Sequence, residues 1–154
     1  MRKVLLLAVA VVACSKAETP ATDTGAAAAP PPPAAPAALT AADVGGTWNG
    51  TAKREGTDSV TTFTVVNISD STGKFVPGGS KDSVSTTSKF DSDSVIVTSA
   101  SYKEPGAPKN APPVMFRSVG RLKDGKLVGV ATVTPAAKPD TVLFRVNWEA
   151  TRAP

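Results

Sequence analysis

The chain has 154 residues, a formal net charge of +4, one cysteine and no histidine. Its length allows one domain plus appendages. Arg2 and Lys3 supply half of the charge, and the field left over is too small to draw nucleic acid or a membrane surface by itself. A single cysteine excludes an internal disulfide, and the lack of histidine removes the commonest general base and a frequent metal ligand. Aromatic residues make up only 5% of the chain, so a core must rest on Val, Ala, Leu and a few large rings.

Arg2 and Lys3 open a basic segment, and Val4 to Ala13 is an unbroken apolar run. A run of about ten residues is too short to cross the ~30 Å hydrocarbon core of a bilayer, so residues 1–13 read as a signal peptide. The run ends in Val11-Val12-Ala13-Cys14. This resembles the lipobox of bacterial lipoproteins, in which small residues precede an invariant cysteine. The resemblance implies that Cys14 becomes the first mature residue, with diacylglycerol on its sulfur and commonly an acyl group, such as palmitate, on its nitrogen. Two or more acyl chains anchor stably, since each buried CH₂ contributes about 0.8 kcal/mol. Ser15 is similar to the outer-membrane sorting class, because an aspartate at this position marks inner-membrane retention in enteric bacteria.

The stretch from Cys14 to Asp43 is rich in Ala, Thr and Pro, with Pro20, Pro30 to Pro33 and Pro36. Leu39 is its one large apolar side chain. Such a segment buries too little surface to offset its ordering entropy, which predicts a disordered, polyproline-leaning linker.

The composition changes at Val44. Ser, Thr and Val dominate residues 44–154, apolar residues tend to alternate, turn residues recur, and no stretch carries a helical period. Strands are expected over Thr47–Arg54, Ser59–Ser69, a short piece around Phe75 and Val76, Asp82–Phe90, Asp93–Tyr102, Val114–Lys123, Lys126–Thr134 and Asp140–Thr151. Asp70 to Gly73 is expected as a turn, Lys103 to Pro113 as a proline-rich loop, and the polar fourth strand as peripheral. Asp124-Gly125 suits a type I′ hairpin. In the last strand, parity puts Val142, Phe144, Val146, Trp148 and Ala150 in the core. The fold class is therefore all-β: a small antiparallel up-and-down barrel of about eight strands, with a two-sheet sandwich as the alternative. Closure requires the first and last strands to pair antiparallel, with Trp48 and Trp148 expected at the same end.

Gly46-Thr47-Trp48 looks like the Gly-x-Trp that opens lipocalin and avidin barrels, the calycins. That resemblance implies a basic residue packed over the tryptophan, and Arg152 has the parity and end position for it. Gly46, Trp48, Trp148 and Arg152 are thus the candidate barrel-end set. Asn49-Gly50 could instead form a tight turn that splits the first strand.

Catalytic patterns are sparse. Ser71-Thr72-Gly73-Lys74 fits the Ser-x-x-Lys of penicillin-recognising enzymes but reads as a hairpin turn. Asp82, Asp91 and Asp93 lack a calcium-loop spacing. Arg117, Arg121, Lys123 and Lys126 form either a basic strip or ordinary edge-protecting charge. The expectation is a non-enzymatic, lipid-anchored envelope protein without metal or cofactor. Its β domain either docks a protein or cell-wall partner or holds a small hydrophobic ligand. An apolar pocket of several hundred Å³ would favour the ligand, and a filled interior would leave docking.

Overall fold

A computed structural model describes residues 38–154 apart from residues 67 and 70. The expected signal peptide, Cys14 and nearly all of the expected linker lie outside the described residues, as does Asp70 of the expected turn. A four-residue helix α1 (Ala41–Val44) precedes eight strands: β1 (Thr47–Arg54), β2 (Val60–Val66), β3 (Thr72–Pro77), β4 (Val84–Asp91), β5 (Ser94–Ser99), β6 (Val114–Lys123), β7 (Lys126–Pro135) and β8 (Phe144–Arg152). Each strand pairs antiparallel with the next, and β8 pairs antiparallel with β1, so the sheet closes into an up-and-down barrel. Closure leaves no edge strand, and it excludes the sandwich.

The inward positions follow from the two-residue side-chain period. Trp48, Gly50 and Ala52 of β1 lie opposite Val65, Phe63 and Thr61 of β2. The row continues through Phe75, Val95, Phe116, Ala131, Val146 and Trp148, all of which line the interior. Exposed outward positions include Thr51, Lys53, Lys74, Lys89, Arg117, Arg145 and Glu149. Apolar inside and polar outside is the reverse of a transmembrane barrel. No helix of the described residues is long and apolar enough to cross a membrane.

Several expectations need correction. β4 is not peripheral: it bonds to β3 on one side and β5 on the other, with Thr86 and Ser88 buried on its inward face. Hydroxyl side chains tolerate this position because the sheet, not hydrophobicity, holds the strand in place. β8 starts at Phe144, so Val142 and Leu143 lie in the preceding loop, 50% and 44% exposed. Thr72 and Gly73 begin β3 rather than forming a turn. Tyr102 lies beyond β5 and makes an isolated bridge to Val114. Asn49 and Gly50 are not a turn but lie inside β1, where the Phe63 ring occupies the space a Gly50 side chain would need. Asp124 and Gly125 both have positive φ, 51° and 76°, as a type I′ hairpin demands.

The chain enters the barrel before the first strand. The Leu39 amide donates to the Ser92 carbonyl at 2.7 Å, and Leu39 packs against the cluster of Val44, Trp48, Ile68, Val95, Leu127 and Ala150. Thr40 donates to the Asp43 carboxylate from its amide (2.9 Å) and its hydroxyl (2.6 Å), which ties the single helical turn. These two hydrogen bonds hold the Asp43 carboxyl below its ordinary range. Gly46, at φ 98°, then swings the chain into β1. No side chain makes that conformation readily.

Arg152 fastens this plug. It donates from Nη1 to the Gly45 carbonyl and from Nη2 to the Asp43 carbonyl (2.9 Å). Its guanidinium also lies 4.7 Å from the centre of the Trp48 ring. Arg152→Ala should lower stability by about 2 kcal/mol, from two lost charge-assisted hydrogen bonds and a cation–π contact. Arg152→Lys should recover only part of it, because an ammonium lacks the planar fork. Urea unfolding midpoints at constant slope would measure both. Wild-type stability in the alanine variant would contradict the fastening role.

Candidate functional site

The candidate site is the barrel interior. A cavity of about 160 Å³ runs from a floor at Trp48, Ile68 and Leu127 to a rim at Pro77, Tyr102, Glu104 and Pro105. Two apolar clusters frame it. At the floor lies the cluster around Val44, Trp48 and Leu127; near the rim, Val114, Phe116 and Val133 pack with Phe75, Tyr102 and Phe144.

The rings between these clusters lie against backbone rather than filling the lumen. Trp148 covers Gly120 and Gly129, its partners across β6 and β7. A Cβ at Gly120 would stand 2.6 Å from Trp148 Cη2, and one at Gly129 2.7 Å from Cζ2. Phe63 lies in the same way over Gly50. Phe63 meets the Trp148 indole edge-on, with centroids 6.1 Å apart, and Phe75 meets Phe116 at 4.8 Å. Such pairs hold each other's orientation. Flattening rings onto glycine keeps the centre of an eight-stranded barrel open, where side chains otherwise tend to fill it.

The four candidate barrel-end residues do not stay together. Gly46, Trp48 and Arg152 meet at the floor, where Trp48 also donates from Nε1 to the Val44 carbonyl at 2.8 Å. Trp148 does not join them. It is paired with Ala52, whereas Trp48 is paired with Arg152, four positions further along. At about 3.3 Å per residue that separates the two by roughly 13 Å and puts Trp148 in the cavity wall. The separation arises because Trp48 is the second residue of β1 and pairs with the last residue of β8, while Trp148 lies four residues before that end.

At the rim, Arg54 stacks over Phe144, with its guanidinium carbon 4.2 Å from the ring centre. Tyr102 is half-buried against Phe75 and Phe116. The remaining sequence candidates lie elsewhere. Ser71 and Lys74 are exposed, Lys74 on the outer face of β3. Asp93 pairs with Arg121 at 3.2 Å, and Lys126 approaches Glu149 at 3.9 Å. Among the described residues no cluster of acidic side chains is arranged to hold a metal ion. Sequence reasoning missed Thr86, Ser88, Ser118, Tyr102 and the paired glycines. The only available signal was the inward parity of serines and threonines in strands that read as polar.

Comparison with protein-family models, with curated proteins and with solved structures returns no match. The class defined by fold and site is therefore structural: a closed eight-stranded antiparallel barrel with an aromatic-lined cavity.

Tyr102 offers a direct probe of the rim. Burial, reinforced by the nearby Glu104 carboxylate, pushes its hydroxyl from 10.0 up to about 12. Because the folded-state value is the higher one, stability should be unaffected below about pH 10. It should fall as pH rises from 10 towards 12, where the unfolded chain ionises and the folded one resists. Tyr102 is the only tyrosine in the chain, so phenolate absorbance reports it alone. Titration at 10 in the native protein, or an unchanged alkaline loss in Tyr102→Phe, would contradict this.

Proposed function

We propose that the protein is a non-catalytic, lipid-anchored envelope protein whose barrel carries a small apolar, aromatic ligand. The observation that supports this reading is the cavity of about 160 Å³, walled by Phe63, Phe75, Phe116, Phe144 and Trp148 and floored by the plug at Trp48. An apolar cavity near 150 Å³ is large enough for a benzene-sized guest. It is below the several hundred Å³ of a typical ligand pocket, so the guest is small. The interior is neither filled nor several hundred Å³ in volume, and carriage is supported over docking by the unfilled aromatic lining alone. The Gly46-Thr47-Trp48 opening, with Arg152 over the indole, supports kinship with the calycins, whose barrels enclose ligands. The anchor rests on Val11-Val12-Ala13-Cys14. It would hold the domain at the envelope, with the outer membrane favoured by Ser15.

Docking of an envelope partner stays as the second reading. One feature favours it: Ile96, Val119 and Val130 stand in register on the outer face of β5, β6 and β7, with Val130 41% exposed.

Two variants separate the parts. Ala131→Phe puts a ring into the cavity from β7, where Ala131 is 7% exposed. Native mass spectrometry of the chain extracted from host membranes should show a small bound mass in the wild type and none in this variant. Melting should be unchanged or raised, as for other cavity-filling changes. A ligand-free wild type that also ignores small apolar probes would end the carrier reading. Cys14→Ser should abolish fatty-acid labelling and release the protein from the membrane fraction. Persistence there as mature material would end the anchor reading.

A further inference from the structure

The inside of the barrel is chemically lopsided. The rings Phe63, Phe75, Phe144 and Trp148 come from β2, β3 and β8. The opposite wall, β4 to β6, adds one ring, Phe116, and the apolar Val95 and Val97, and carries the buried hydroxyl residues at inward positions: Thr86, Ser88, Ser99 and Ser118. They are contiguous. Thr86 pairs with Ser99, and Ser88 pairs with Val97, which pairs in turn with Ser118. Ser99 Oγ is used, since it accepts the Phe116 amide at 2.9 Å. Thr86 Oγ1 and Ser88 Oγ are not: neither meets a hydrogen-bond partner among the described residues. Their residues are 3% and 6% exposed, and Thr86 lines the cavity.

A buried hydroxyl left unpaired costs free energy that an apolar side chain of the same shape would not. Valine fits this strand as well as threonine does. Thr86 faces the lumen and its rings, with Ser88 two residues along the same inward face of β4, and such a wall matches a guest that is part ring and part oxygen. We propose that the cavity selects a single-ring aromatic bearing one hydroxyl or carbonyl oxygen. Its ring lies against Phe63, Phe75 and Trp148, and its oxygen meets Thr86, the unpaired hydroxyl that lines the cavity. This rests on the carrier reading and specifies the guest. A purely aliphatic chain would leave both hydroxyls unpaired, and a carboxylate would meet no cation among the residues that line the cavity.

The test is calorimetric titration of the full chain in detergent with phenol and with toluene, which differ by hydroxyl against methyl. Each titration is corrected by a blank with micelles alone. Wild type should bind phenol about tenfold more tightly than toluene. The double variant Thr86→Val, Ser88→Ala should lose that preference while still taking toluene. Its melting temperature should be equal or higher, because it removes unpaired polar groups. Thr86→Ser, which keeps the hydroxyl, should retain the preference and serves as a second variant if the first folds poorly. Equal binding of both probes by the wild type would overturn the polar assignment and leave the carrier reading standing, as would a preference that survives the double variant. Binding of neither probe would overturn both.

Discussion

The clasp of Arg152 over Trp48 is the contact on which the rest of the barrel depends. It joins the last residue of the last strand to the first turn of the domain, 109 positions away at Asp43. One guanidinium covers an aromatic face and donates to two backbone carbonyls that a four-residue helix cannot satisfy by itself. Val44 is thereby held fully buried beneath the floor, and the Trp48 indole is anchored by its own hydrogen bond to Val44. Without a floor the closed sheet would be a tube open to water at both ends. With it, the lumen is a cup closed at the Trp48 end.

The second constraint is how a chain with so few aromatic residues spends them. Gly50, Gly120 and Gly129 leave flat patches of backbone, and Phe63 and Trp148 spread over those patches. Alanine at Gly120 would press on the Trp148 ring, and at Gly50 and Gly129 it would press on the ring and also on the carbonyl of Glu149 or Val119. The cost is the lost strand propensity of glycine, offset by closed pairing on both sides of each strand. The gain is a cavity in a barrel small enough to have been filled. Glycine in a strand is thus a device for shaping space here, as much as a backbone hinge.

Chemistry within that space is divided between two walls. Rings on β2, β3, β6 and β8 provide polarisable surface, while β4 to β6 also provide hydroxyls, two of them without partners among the described residues. At the rim, Arg54 over Phe144 and the half-buried Tyr102 beside Glu104 are the polar groups a guest would pass. The outer face carries exposed Thr, Lys and Arg side chains, interrupted by Ile96, Val119 and Val130 on β5 to β7.

Alternation, turn chemistry and the all-β class were legible in the chain because they are local. β1 and β6 have the bounds that their flanking Gly, Pro and Asp-Gly residues imply. The period of two placed Phe144, Val146, Trp148 and Ala150 inward without any knowledge of neighbours. Strand length and barrel stagger are not local. They are decided by which partner each residue meets, and so Val142 fell outside β8 and Trp148 moved to mid-barrel opposite Ala52. Helix α1 carries no helical period, since a single turn has none, and it exists because Arg152 and the floor cluster hold it. β4 read as peripheral from its polarity, yet closure made it a stave and turned Thr86 and Ser88 into the inner wall. Sequence alone set which residues alternate and where the chain turns, since those depend on neighbours a few positions away. The cup, its glycine-backed rings and its unpaired hydroxyls required tertiary structure, because each is a relation between strands that only closure brings together.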